Sequence, residues 1–126
     1  MARRMISDTV IGSDKFLQMP LSAQALYFHY VLDADNAGIF ASAISTMRRV
    51  GASHADLECL INNEYLLQLS PCVYAITHWL MHQTLKNDRK NSSYPEARML
   101  KSVGGIYELK TEAEMKRSSR FEDEEE

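Results

Sequence analysis

Apolar positions in this chain switch repeatedly between helical and strand spacing. Residues 13–19 read as a short helix ended by Pro20, whose ring breaks helical pairing. Leu21, Ala25, Phe28 and Leu32 recur at steps of four, three and four, one face of a helix predicted over 21–33. Ser22 is the expected cap near its start. Asp33 to Gly38 is rich in turn formers, and Ile39-Phe40 reads as one short strand. Over 42–50, Ile44, Met47 and Val50 share one side of a short helix. Gly51 suits the left-handed geometry of a helix end. Ser53-His54-Ala55-Asp56 has the spacing of a capping box, half made because Asp is shorter than the usual Glu. Leu57, Leu60 and Ile61 continue as the apolar stripe of a helix over 53–63.

Two short helices joined through a glycine turn describe a helix-turn-helix. Residues 65–69 and 73–78 then alternate as strands around a tight Ser70-Pro71-Cys72 connection, a β-hairpin. The predicted fold class is mainly α with a small β-hairpin, in the order of a winged helix-turn-helix. Trp79 is expected to close the core. Beyond it the pattern weakens. Asn91 to Pro95 reads as a loop, 96–101 as the start of a helix broken by Gly104-Gly105, and 106–109 as a short strand. From Thr111 onward there is little to bury, so fraying is expected. This divides the chain into a winged-helix domain over 1–90, a C-terminal extension over 91–110 and an acidic tail over 111–126.

A length of 126 residues suits one domain, and 45% apolar with 25% charged residues is ordinary for a globular chain. No apolar run approaches the ~20 residues of a membrane span. The charged N-terminus lacks the apolar stretch of a secretory signal, so a cytoplasmic protein without membrane partners is expected. The net charge of −3 is dominated by the last six residues, which hold five acids and no base. Without them the chain has 14 basic and 12 acidic residues, too slight an excess for charge alone to argue for nucleic acid.

The stretches Ala2 to Ser7, Ser13 to His29, Met47 to Ser53 and Ile76 to Trp79, together with Lys86-Asn87-Asp88-Arg89, resemble the N-terminal domain of phage replisome organisers. These replication-initiation proteins are related in architecture to DnaD-type primosomal proteins. The resemblance covers roughly residues 2–90, with Gln83 standing where asparagine is expected. It implies a winged helix that binds duplex DNA at a replication origin and helps recruit host helicase-loading or primosomal proteins.

In such a domain the second helix of the pair enters the major groove. Its outward positions would be Ala55, Glu58, Cys59, Asn62 and Asn63, preceded by Ser53 and His54. Asn can bond adenine edges and Glu can accept from cytosine. Asp56, Glu58 and Glu64 oppose phosphates, and the helix carries no Lys or Arg. Phosphate contacts would come from Arg48 and Arg49, from Lys86, Arg89 and Lys90 after the hairpin, and from an arm with Arg3 and Arg4. A domain this small reads few base pairs, so a homo-oligomer is expected. A protein-interaction winged helix and a phage transcription regulator are the alternatives. No nucleophile elbow or glycine-rich phosphate loop appears, so neither enzyme activity nor a cofactor is expected. Cys59, Cys72, His78 and His82 lack the paired-cysteine spacing of a structural zinc site, so no metal is expected either.

Overall fold

The computed structural model describes residues 4–83 and 92–116. The elements are α1 (Asp8–Ile11), α2 (Asp14–Leu17), α3 (Leu21–Asp33), β1 (Ile39–Phe40), α4 (Ala43–Val50), α5 (His54–Asn62), β2 (Leu66–Ser70), β3 (Val73–Ile76), α6 (Trp79–His82), a 3-10 helix (Pro95–Met99), β4 (Leu100–Val103) and β5 (Ile106–Leu109). They form a small domain of helices and two antiparallel sheets. One sheet has the order β1-β3-β2, with Phe40 opposite Tyr74 and Leu66 opposite Ile76. The other is the hairpin β4–β5, with Val103 opposite Ile106.

Helix α3 organises the core and packs against both α4 and α5. It buries Ala23, Leu26, Tyr27, Tyr30 and Val31, not the Leu21, Ala25, Phe28, Leu32 stripe expected from spacing. Leu21 and Leu32 are 81% and 56% exposed. Both stripes have helical spacing, so periodicity cannot choose between them; the tyrosines decide. Tyr30 stacks on Phe40, which stacks on Tyr74, and its hydroxyl donates to Ala43 O at 2.7 Å. Tyr27 packs edge-on against Phe16 and Tyr65. Burial pushes both phenols well above their ordinary pKa, so they stay protonated. Such rings bury large areas and use their hydroxyl as a polar handle.

Helix α4 likewise buries Ala43, Thr46 and Met47, while Ile44 is exposed. The polar Thr46 can be buried because its hydroxyl donates to Asp33 Oδ2. Ser22 does not cap α3. Its hydroxyl crosses to Asp56 Oδ1 at 2.7 Å, tying α3 to α5.

The start of a helix expected over 96–101 is met only in part: a 3-10 helix occupies Pro95–Met99, but Leu100 and Lys101 already belong to β4 of a second hairpin. Gly104 and Gly105 both have positive φ, 62° and 84°, which is the two-residue turn that matches strand twist. Leu100 and Tyr107 from this hairpin are buried in the core, and Tyr107 donates its hydroxyl to Ala37 O. Residues 111–116, expected to fray, carry a capping box in which Thr111 and Glu114 bond each other's backbone amides. Lys101 pairs with Glu114 at 2.9 Å.

The turn after α3 is built around Asp35, whose Oδ1 accepts from the amides of Ala37 and Ile39. Gly38 follows with φ of 84°, and a Cβ there would lie 2.5 Å from Trp79 Cγ. Trp79 is buried, as expected for core closure, and it opens α6. Its indole N–H donates to Asn36 O at 3.0 Å. Gly51 also has φ of 84°, with open space where a Cβ would be. Chemical denaturation should therefore separate two glycines of equal φ. Gly38→Ala should cost about 2–4 kcal/mol, from backbone strain plus overpacking against the indole, and Gly51→Ala about 1 kcal/mol from strain alone.

Candidate nucleic-acid interface

The candidate surface is built on α4, the turn after it and α5. Helix α4 ends in a Schellman arrangement: Gly51 N donates to Arg48 O and Ala52 N to Met47 O. Three residues later the capping box of α5 is complete, contrary to the half-made expectation. Ser53 N donates to Asp56 Oδ2 at 2.9 Å, and the Ser53 side chain accepts from the Asp56 amide. Asp56 is buried, and burial alone would raise its pKa. The Ser22 hydroxyl and the Ser53 amide and hydroxyl outweigh that and hold it below its ordinary value. Its charge is therefore turned inward, away from any ligand on the outer face.

Leu57 and Leu60 lie on the buried side of α5. His54, Ala55, Glu58 and Asn62 are exposed on the opposite side, with His54, Glu58 and Asn62 at successive four-residue steps. Cys59 and Asn63 sit on the half-buried shoulder. Asn63 closes the helix end, donating its amide to Cys59 O at 2.7 Å. Asn62 thus presents its whole amide outward, whereas Asn63 has its donor group engaged.

Arg48 is exposed and borders a groove of about 560 Å³ between α4 and the β2–β3 turn, lined by Ile44, Pro71, Cys72 and Tyr74 among others. Sequence spacing gave no sign of this groove, because it joins residues nearly thirty positions apart. Arg49 forms an ion pair with Asp33 at 3.4 Å, the arginine side chain being 65% exposed. A pair so open to solvent is worth at most about 1 kcal/mol, so phosphate could compete for Arg49.

Arg4 departs from the expected arm. Its guanidinium lies 5.1 Å from the Trp79 ring centroid and donates to Ala34 O at 2.8 Å and Asn36 Oδ1 at 3.2 Å. The cation is drawn there by the indole face and by the carbonyl end of α3. Arg3, Lys86, Arg89 and Lys90 lie outside the described residues.

His82 is buried with both ring nitrogens engaged. Nδ1 accepts from the Ser7 amide at 2.9 Å, and Nε2 meets the Tyr27 hydroxyl at 2.5 Å. Beside it, Gln83 donates to Met5 O and accepts from Met5 N, so residues 4–7 are strapped onto α6. Burial, with His78 nearby, depresses His82 to about 4. His78 heads α6 and is not on a strand end; burial and Lys15 lower it as well. Among the described residues no group of three or more His, Cys, Asp or Glu is placed to hold a metal ion, and no helix is long and apolar enough to cross a membrane.

Comparison with family models, with curated proteins and with solved structures finds no match.

The depressed His82 gives folding stability a defined pH dependence. The unfolded chain binds its proton near 6.5, and the folded chain only near 4. Stability is therefore fully present above pH 6.5 and falls between 6.5 and about 4, by about 2–3 kcal/mol. Asp56 and Glu114, both held below ordinary carboxylate values, begin to lose their contributions only near their unfolded values of 3.8 and 4.5, at the lower end of this window and below it. Urea denaturation at pH 7.5 and 4.5 should show this loss in the parent and most of it removed in His82→Gln.

Proposed function

We propose that this chain is a non-enzymatic winged helix-turn-helix domain that binds duplex DNA, with α5 in the major groove and the β2–β3 hairpin as the wing. The observation that carries the reading is the ordered succession of α3, β1, α4, a three-residue glycine turn, α5 and a hairpin whose second strand pairs with β1. Consistent with it, the outer face of α5 is exposed and offers His54, Glu58 and Asn62 to a groove, while Arg48 and Arg49 on the preceding helix can reach phosphates. The resemblance over residues 2–90 supports a place in phage replication initiation, with an origin as the DNA and helicase-loading proteins as partners.

One observation favours a second reading, a protein-interaction module. The exposed face of α5 has an acid and no cation, and Arg4 is engaged by the body of the domain. Phosphate binding thus depends on Arg48, Arg49 and the basic cluster Lys86, Arg89 and Lys90.

A salt titration of binding to labelled duplexes separates the two readings. Each phosphate contact releases counterions, so Arg48→Ala and Lys86→Ala should each lower the magnitude of the log K against log salt slope by about 1. Asn62→Ala should keep the slope and narrow the gap between selected and random duplex by about 1–3 kcal/mol. If both cation variants keep the parental slope and affinity, or no duplex binds, the interaction module replaces the DNA-binding reading.

A further inference from the structure

A second cavity, of about 290 Å³, shares no lining residue with the groove beside Arg48. It is walled by α1, α2, the residue before β2, α6 and β5. Val10, Met81 and Ile106 supply its apolar part. Thr9, Lys15, Tyr65 and His78 supply polar groups, and these are unspent. Among the described residues none of the four side chains makes a hydrogen bond or an ion pair, and His78 Nδ1 is buried without a partner. Ser13, the other polar side chain of the wall, is engaged: it donates to Val10 O and accepts from Phe16 N. A buried ring nitrogen left unpaired calls for a reason, and a few convergent polar groups in an apolar cavity are the usual form of a small-ligand site.

Tyr65 brings the nitrogens together. Lys15 Nζ and the centre of the His78 ring each lie 5.4 Å from the centroid of its ring. Tyr65 is itself fixed, since its amide donates to Leu60 O and its carbonyl accepts from Thr77 N. Burial and the nearby Lys15 charge lower the His78 pKa, so at neutral pH the imidazole is uncharged and Lys15 carries the one full charge of the cavity. No carboxylate lines it; Asp8, Asp14 and Glu64, the acids next in sequence to its wall, are exposed.

We propose that this cavity binds a small organic monocarboxylate, held by the Lys15 ammonium with Thr9, Tyr65 and His78 as hydrogen-bond donors, its apolar body lying on Val10, Met81 and Ile106. Charge and size identify the occupant. One full positive charge among neutral donors matches a monoanion. Phosphate is favoured by the planar fork of arginine, and no arginine lines the cavity. The volume admits about ten non-hydrogen atoms, at the ~30 Å³ that a water takes in the liquid. Thr9 and Lys15 are exposed, so binding is weak, with a Kd of about 0.1–5 mM. The wall includes no residue of α4, α5 or the β2–β3 turn, and the inference stands independently of whether those bind DNA.

Phenylacetate, an acid of about that size, is the probe. Titrated to about 30 mM into the isotope-labelled full chain at neutral pH and constant ionic strength, it should give saturable shifts of the His78 imidazole and of the Met81 and Ile106 methyl groups. Phenylacetamide, its uncharged counterpart, should bind at least about tenfold more weakly to the parent chain, and phenylacetate should bind Lys15→Gln more weakly by a similar factor. Lys15 is exposed, so this variant should keep the parental spectrum away from the cavity. Equal binding of the amide, parental affinity in Lys15→Gln, tighter binding of inorganic phosphate than of phenylacetate, or no saturable shift of these side chains overturns the inference.

Discussion

The Trp79 indole lies against Gly38, and this contact ties the separate parts of the domain together. A side chain at position 38 would occupy the space of the ring, and the positive φ there suits only glycine without strain. The turn that makes this approach possible is held on every side. Asp35 accepts from its amides, Trp79 and Tyr107 donate to Asn36 O and Ala37 O, and Ile76 N donates to Gly38 O. Through those bonds one four-residue turn joins α3, β3, α6 and the second hairpin. Arg4 then closes over the indole, bringing the N-terminal segment into the same assembly. Ala37 and Gly38 can be buried in this turn because the polar groups around them are paired, in part with the buried Trp79 and Tyr107.

The local signals in the sequence that proved legible are those with one physical solution. Gly51 followed by Ser53 and Asp56 leaves the chain few alternatives to ending one helix and starting another, and the structure places the turn there. The hairpin around Pro71 and the strand Ile39-Phe40 were legible for the same reason: β-branched and aromatic residues bounded by turn formers. What failed was the choice between equivalent faces. Helix α3 has two apolar stripes, and the one expected from spacing is the outer one, exposed at Leu21 and Leu32 and only half-buried at Ala25 and Phe28. Only Tyr27 and Tyr30, whose hydroxyls need partners supplied by distant parts of the chain, mark the true inner face. A similar limit applied to Gly104-Gly105, where a helix stop and a hairpin turn look alike until the partner strand is known.

The candidate site was legible in outline and not in its electrostatics. Outward positions on α5 follow from helix geometry, so His54, Glu58 and Asn62 were found. The fate of each charge depends on neighbours far away in sequence. Arg4 is drawn to Trp79, Arg49 to Asp33, and Asp56 to Ser22. Each pairing joins elements that no local pattern connects. Among the described residues this leaves Arg48 as the arginine of α4 outside an ion pair, next to the groove between α4 and the β2–β3 turn, with Arg49 held only by its solvent-open pair to Asp33. Any phosphate-binding role of this surface therefore concentrates on a small number of side chains, which makes it unusually sensitive to single substitutions.

The most direct measurement of whether this surface meets DNA is a titration of the isotope-labelled chain with a short duplex, followed by amide chemical shifts. Binding as proposed should move the amides from Arg48 through Asn62 and those of the β2–β3 turn, and leave Leu21, Ala25 and Leu32 on the outer face of α3 unmoved at fixed protein concentration. Shifts confined to other surfaces, or none across 48–62 with a bound duplex, would contradict recognition through α5.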